Sequence, residues 1–162
     1  MTSPRREHLL VEARSAARGV TVSARGHGLT IDEAEQYGGH DAGANPVEHM
    51  LAGIASASLV VLRLLGEGEI AESVRLEISA CLNVDRVLGV DEGAVFESVR
   101  LSWEVQSTSH AERLRAALPR LSSRRPGQEL IDAASTSTED ISIRESPGVE
   151  SRWITCCARA CR

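Results

Sequence analysis

The sequence predicts a single domain of mixed strands and helices, and three observations carry that expectation. Short apolar and β-branched runs, separated by glycines and charged residues, fill the N-terminal segment. A long apolar helix pattern opens on a well-formed cap at Asn45. Two cleanly alternating runs, Ser73 to Asn83 and Val99 to Val105, then lead to a second capped helix. With 162 residues the chain can build one substantial core and is too short for two ordinary domains. The domain is expected to span 1–147, and 148–162 is expected to be a flexible C-terminal tail.

Each element has its own grounds. His8 to Arg14, Gly19 to Ala24 and Leu29 to Asp32 read as three strands of a meander. A glycine-rich loop, Gly38 to Ala44, follows them. Asn45 is a good N-cap, Pro46 suits the first helical position, and Glu48 stands where a capping-box carboxylate belongs. The helix should run to about Leu65, with Gly66 as its stop. It is apolar nearly all round, so it should be buried on most sides, and a second subunit is an economical source of cover. Val74, Leu76, Ile78 and Ala80 alternate with Arg75, Glu77 and Ser79, as Val99, Leu101, Trp103 and Val105 do with Arg100, Ser102 and Glu104. These are two half-buried strands, expected to be antiparallel neighbours. The segment between them, Val84 to Ala94, is polar and glycine-bearing. Ser109 and Glu112 form a second capping box, whose helix should reach Leu118 before Pro119 disturbs it. Pro126 to Ala134 fits a short helix, and Thr138 to Arg144 a last strand.

Composition excludes several function classes. A net charge of -5 and a pI near 5.6 argue against a nucleic-acid binder, which would show a basic face. Met1 to Arg6 runs into Glu7 and His8 and not into an apolar leader, so the expected location is cytoplasmic. Met50 to Leu65 is interrupted by Gly53, Ser56, Ser58 and Arg63, and reads as a buried helix in preference to a membrane span. Cys81 stands alone in a strand; Cys156, Cys157 and Cys161 crowd the end of the chain. That is no secreted disulfide framework. Adjacent cysteines without a nearby His suit no common zinc spacing, so no metal site and no cofactor is expected.

The central stretch resembles a known family. Ile31-Asp32-Glu33, then Gly38-Gly39-His40-Asp41, Gly43-Ala44-Asn45-Pro46 and Glu48, then a long helix of small residues, is similar to the signature of the OsmC/organic hydroperoxide resistance (Ohr) family. There a strand ending in Asp-Glu leads through a Gly-Gly-x-Asp-x-Gly-x-Asn-Pro loop into a helix. The resemblance covers Leu9 to Arg144, and the later elements follow in the family's order. It implies an α+β fold with antiparallel sheets wrapped around long central helices, an intertwined homodimer, and active sites at the subunit interface. It also implies where the redox residues would stand. The reactive cysteine's position, eleven residues after the helix-opening proline, is Ala57 here. The resolving cysteine's position, before a later proline, is Arg125. The Glu that follows the helix-opening proline in hydroperoxide-reducing members is Val47. A thiol peroxidase needs a thiolate nucleophile, and alanine offers none. Cys81, on the strand face of Glu77 and Ser79, is expected to be an inert small residue.

The inherited pocket would be lined by Val47, Glu48, Met50, Gly53, Ile54, Ala57 and Ser58; at 100° per residue Met50, Gly53, Ile54 and Ala57 share a helix face. Each polar candidate has a plain reading beside its chemical one. Glu48 is a helix cap. His49 is a half-exposed side chain near the helix start, or a proton donor and acceptor in the pocket. His40 and Asp41 belong to an Asx-type turn, or His40 joins His49 around a ligand. Ser56 and Ser58 bond back to helix carbonyls and are not nucleophiles. Arg125 is a solvated neighbour of Arg124, or it holds an anion. The sequence therefore favours a homodimer without thiol-peroxidase chemistry that binds a small apolar or anionic ligand at its interface. The alternatives are acid–base catalysis through His49 or His40 with Arg125, and residual hydroperoxide reduction in oxidative-stress defence.

Overall fold

The computed structural model describes residues 6–144. The tail read as flexible, with Cys156, Cys157 and Cys161, lies outside the described residues. The fold divides into two compact units that meet within one helix, between Met50 and Leu51.

The first unit is an antiparallel meander, β1 (Glu12–Ser15), β2 (Val20–Ala24) and β3 (His27–Ile31), as the sequence implied. Ladder pairing in β1 begins at Glu12, so the first strand starts later than His8. β2 and β3 are joined by Arg25 and Gly26 alone, both with positive φ (52° and 83°). Two positive φ angles in a two-residue loop match the right-handed twist of the strands, and glycine takes one of them without strain. The register sorts side chains by face: Ala13, Val22 and Leu29 are aligned on one side with Val20 and Ile31, and Glu12, Arg14, Thr21, Ser23 and Thr30 lie on the other. A 3₁₀ turn at Glu35–Tyr37 begins the loop that leads to the first helix.

That helix, α1 (Pro46–Leu64), has the expected cap. Glu48 N donates to Asn45 Oδ1 at 2.8 Å, and Asn45 N donates back to Glu48 Oε2 at 2.8 Å. The chain alone covers only part of the helix. α1 is not buried on most sides within the chain: Ile54, Ser58, Val61 and Leu62 are buried, while Met50, Val60 and Leu64 are 47%, 53% and 80% exposed.

The second unit holds a three-stranded sheet in the order β4 (Arg75–Leu82), β5 (Phe96–Val105), β6 (Thr136–Ile143). β4 and β5 are antiparallel, as their alternation implied. β5 and β6 are parallel, so this sheet is mixed and not antiparallel throughout. A parallel neighbour requires a crossover, which α4 (Thr108–Ser122) and α5 (Gln128–Asp132) supply. Two short helices, α2 (Gly68–Ser73) and α3 (Val84–Val87), fall in segments too brief for a periodic signal. The cap of α4 is Ser107, which accepts from His110 N at 3.3 Å, and not Ser109. Pro119 does not end α4. Its missing N–H frees the Arg115 carbonyl on an exposed side of the helix, where water can take the bond. α4 buries Ala111, Leu114, Ala117 and Leu121, which pack with Val61, Leu62, Ile70, Trp103 and Val105.

Candidate functional site

The site begins at a carboxylate. Asp32 is buried at the end of β3, and its oxygens accept three backbone N–H groups: Glu33 at 2.9 Å, His40 at 2.9 Å and Ala42 at 3.2 Å. This one side chain gathers the loop between β3 and α1. The His40 amide, helped by those of Ala42 and Glu33 and by the His40 ring, holds the Asp32 carboxyl below its ordinary range, against the opposing effect of burial. The His40 ring is exposed, with Nδ1 3.9 Å from Asp32 Oδ2. Asp41 takes positive φ (53°), as turn aspartates do.

Four residues into α1, His49 is half-buried and its Nδ1 lies 3.1 Å from the Asn45 carbonyl. A carbonyl only accepts, so Nδ1 carries the hydrogen, and in the neutral ring Nε2 is left with its lone pair. Among the described residues no hydrogen bond joins His40 and His49; each rests on its own partner.

The expected lining residues divide between two sides of the helix. Met50 and Gly53 are exposed, Val47 and Ala57 half-buried, and Glu48 is exposed and engaged as a cap. Ile54 and Ser58 are buried, so they do not share the open face with Met50 and Gly53, although Ile54 stands only about 40° from Met50, at the edge where that face turns into the core. One residue of helix turns a side chain by about 100°, enough to carry Ile54 from the open face into the core. Both serines bond back as expected: Ser58 Oγ donates to Ile54 O at 2.7 Å and Ser56 Oγ to Gly53 O at 3.0 Å. Among the described residues each hydroxyl is bonded to a backbone carbonyl and to no base that could activate it. An open depression of about 320 Å³ lies elsewhere, on the polar face of the first sheet beside Glu12, Arg14, Thr21, Ser23 and Thr30.

No family model matches the chain, and no curated protein does. Solved structures do. An organic hydroperoxide resistance protein OsmC from Legionella pneumophila aligns over 86% of this chain and 99% of its own, with TM-score 0.64 and 16% identity. An OsmC-like protein from Mycoplasma pneumoniae aligns over 85% and 96%, with TM-score 0.62 and 15% identity. A candidate organic hydroperoxide resistance protein from Vibrio cholerae, with captopril bound in one of its active sites, aligns over 86% and 95%, with TM-score 0.53 and 16% identity. The chain has the OsmC fold.

Within the OsmC fold this chain departs from expectation at Arg125. It is not a solvated neighbour of Arg124: its side chain is 1% exposed. Nη2 donates to Glu139 Oε1 at 2.7 Å and Nη1 to Gln128 Oε1 at 3.0 Å, while Nε is buried with no partner among the described residues. The same Glu139 oxygen accepts from Trp103 Nε1 at 2.8 Å. A guanidinium so committed is not open to an anionic ligand. Asp32 and Glu139 were not singled out as candidates from the sequence. The signal for Glu139 was present, because it alternates in phase with Ile141 and Ile143, and the register sets it beside Leu101. Cys81 is half-buried and disulfide-bonded, so it is not the inert lone residue that the sequence implied; its Sγ lies 3.4 Å from Glu97 Oε2. Among the described residues no cluster of His, Cys, Asp or Glu suited to a metal ion occurs.

Proposed function

We propose that this protein is a divergent member of the OsmC/Ohr family. In this reading it acts as a homodimer, and a small apolar ligand sits against the open face of α1 at the subunit interface. Solved proteins of this fold include organic hydroperoxide resistance proteins, which supports a place in the broad class concerned with peroxide resistance. The thiol chemistry of that class is absent at α1 in this reading. Two observations support it: the uncovered face of α1 is apolar, and Ala57 stands where the resemblance puts the reactive thiol. Captopril in an active site of the Vibrio cholerae protein supports small-molecule occupancy in this fold.

Two readouts test the reading. In a peroxide-consumption assay with an organic hydroperoxide and a dithiol reductant, turnover should stay at the buffer rate. Turnover that disappears in Cys81→Ala would overturn the loss of thiol chemistry. Native mass spectrometry should show a dimer carrying a small-molecule adduct, and Gly53→Phe should expel that adduct. An adduct-free wild-type dimer would reduce the interface to a structural role.

A second reading has His49 as its support. The Asn45 carbonyl fixes Nδ1 as the donor, so Nε2 is free to act as a base. Under that reading His49→Gln abolishes a measurable activity; under the binding reading it only weakens ligand retention.

A further inference from the structure

Buried Arg125 and half-buried Glu139 form an ion pair that the ligand reading does not use. The connection between α4 and α5 is held at two points. At one, the Arg125 guanidinium reaches Glu139 and Gln128. At the other, Gly127 lies directly against α1: a Cβ built on it would stand 2.8 Å from Ile54 Cγ1. Pro126, between them, is exposed and has no N–H to give. Gln128 in turn donates to Asp132 Oδ1 at 2.9 Å, so the Arg125 contact continues into α5.

We propose that the Arg125–Glu139 pair is a latch that keeps the α4–α5 connection closed over Ile54. The physical reason lies in the guanidinium's own bonding. Among the described residues its buried Nε has no acceptor, so the charge is kept in the interior by Glu139 and Gln128 together. Gln128 is neutral, and only Glu139 supplies counter-charge. Without that counter-charge, the buried cation lowers its free energy by swinging into water. The Arg125 backbone must move with it, and Pro126 and Gly127 follow, which uncovers Ile54. Trp103 registers the same carboxylate from the sheet side, so the latch ties β5, β6 and the connection to one oxygen. The latch is independent of whether a ligand occupies the open face of α1, because Ile54 is buried against Gly127 and is not part of that open face.

Amide hydrogen exchange of the full chain, read by mass spectrometry, tests it. In Glu139→Gln, residues 123–128 should exchange about ten- to a hundredfold faster, the factor expected from losing a charge-assisted hydrogen bond. β4 and the paired part of β5 should keep wild-type protection. Acceleration spread evenly over both segments, or none at 123–128, would overturn the latch. Should Glu139→Gln fail to fold, Arg125→Lys decides, since it keeps a buried positive charge but its single ammonium cannot reproduce the forked contact with Glu139 and Gln128. Fast exchange confined to 123–128 supports the latch. Wild-type protection there would make the pair no more than core filling.

Discussion

A carboxylate ringed by three amide donors is most at home ionised, and Asp32 is such a group. Its folded pKa lies below the ordinary value of 3.8. A depressed carboxyl pKa means that the unfolded chain binds the proton more readily than the folded one. The stabilisation is therefore fully present above the ordinary carboxylate range and is lost as pH falls through the lowered folded value. Asp32→Asn should flatten that acid limb, as measured by urea midpoints between neutral pH and about pH 3. A limb of unchanged steepness in the variant would assign acid sensitivity to other carboxylates. Glu69 titrates below its ordinary range too, because Arg113 bonds it, so the comparison is best read as a difference between variant and wild type.

At the scale of elements, local rules explain most boundaries. Asn45 and Glu48 bond each other's backbones, and Asn45→Ala should lower stability by about 1 kcal/mol, seen as a reduced Tm. Gly127, with φ of 83°, lies against Ile54, and Gly127→Ala should cost about 1–2 kcal/mol for the left-handed backbone alone, with the clash added. A variant as stable as the wild type would show that the connection relaxes freely. The capping box, the meander and the β4–β5 pair were legible because each is written in adjacent or alternating residues. What stayed hidden was long-range. Nothing near Thr136 says that β6 lies parallel to β5, and nothing near Arg125 says that Glu139 will bury it. Both facts depend on the crossover through α4 and α5. Pro119 misled for a related reason: tertiary packing of Ala117 and Leu121 carries α4 past a residue that an isolated helix would reject. At α1, apolar composition located the helix correctly, but composition does not reveal which side the chain itself covers.

At the scale of the molecule, the open face of α1 needs an explanation. By length and composition Pro46–Leu64 could cross a membrane, yet Val61 and Leu62 are packed into the core with Trp103 and Leu114. A helix anchored on one side in a protein core and apolar on the other is better suited to a second protein surface than to lipid. The first sheet has a matching need, since Leu29 on its apolar side is 50% exposed. A three-stranded sheet gains independent stability from a covered apolar face. These uncovered surfaces are why the homodimer is proposed. Val60→Glu separates the possibilities. On a free surface such a change shifts stability by no more than about 0.5 kcal/mol. In a buried interface it strands a charge, and should weaken association by about 2 kcal/mol or more, over tenfold in Kd. Sedimentation velocity without detergent should show the wild type as a dimer and Val60→Glu as a folded monomer. A wild type that sediments as a monomer, or only dissolves with detergent, would remove the homodimer from the reading.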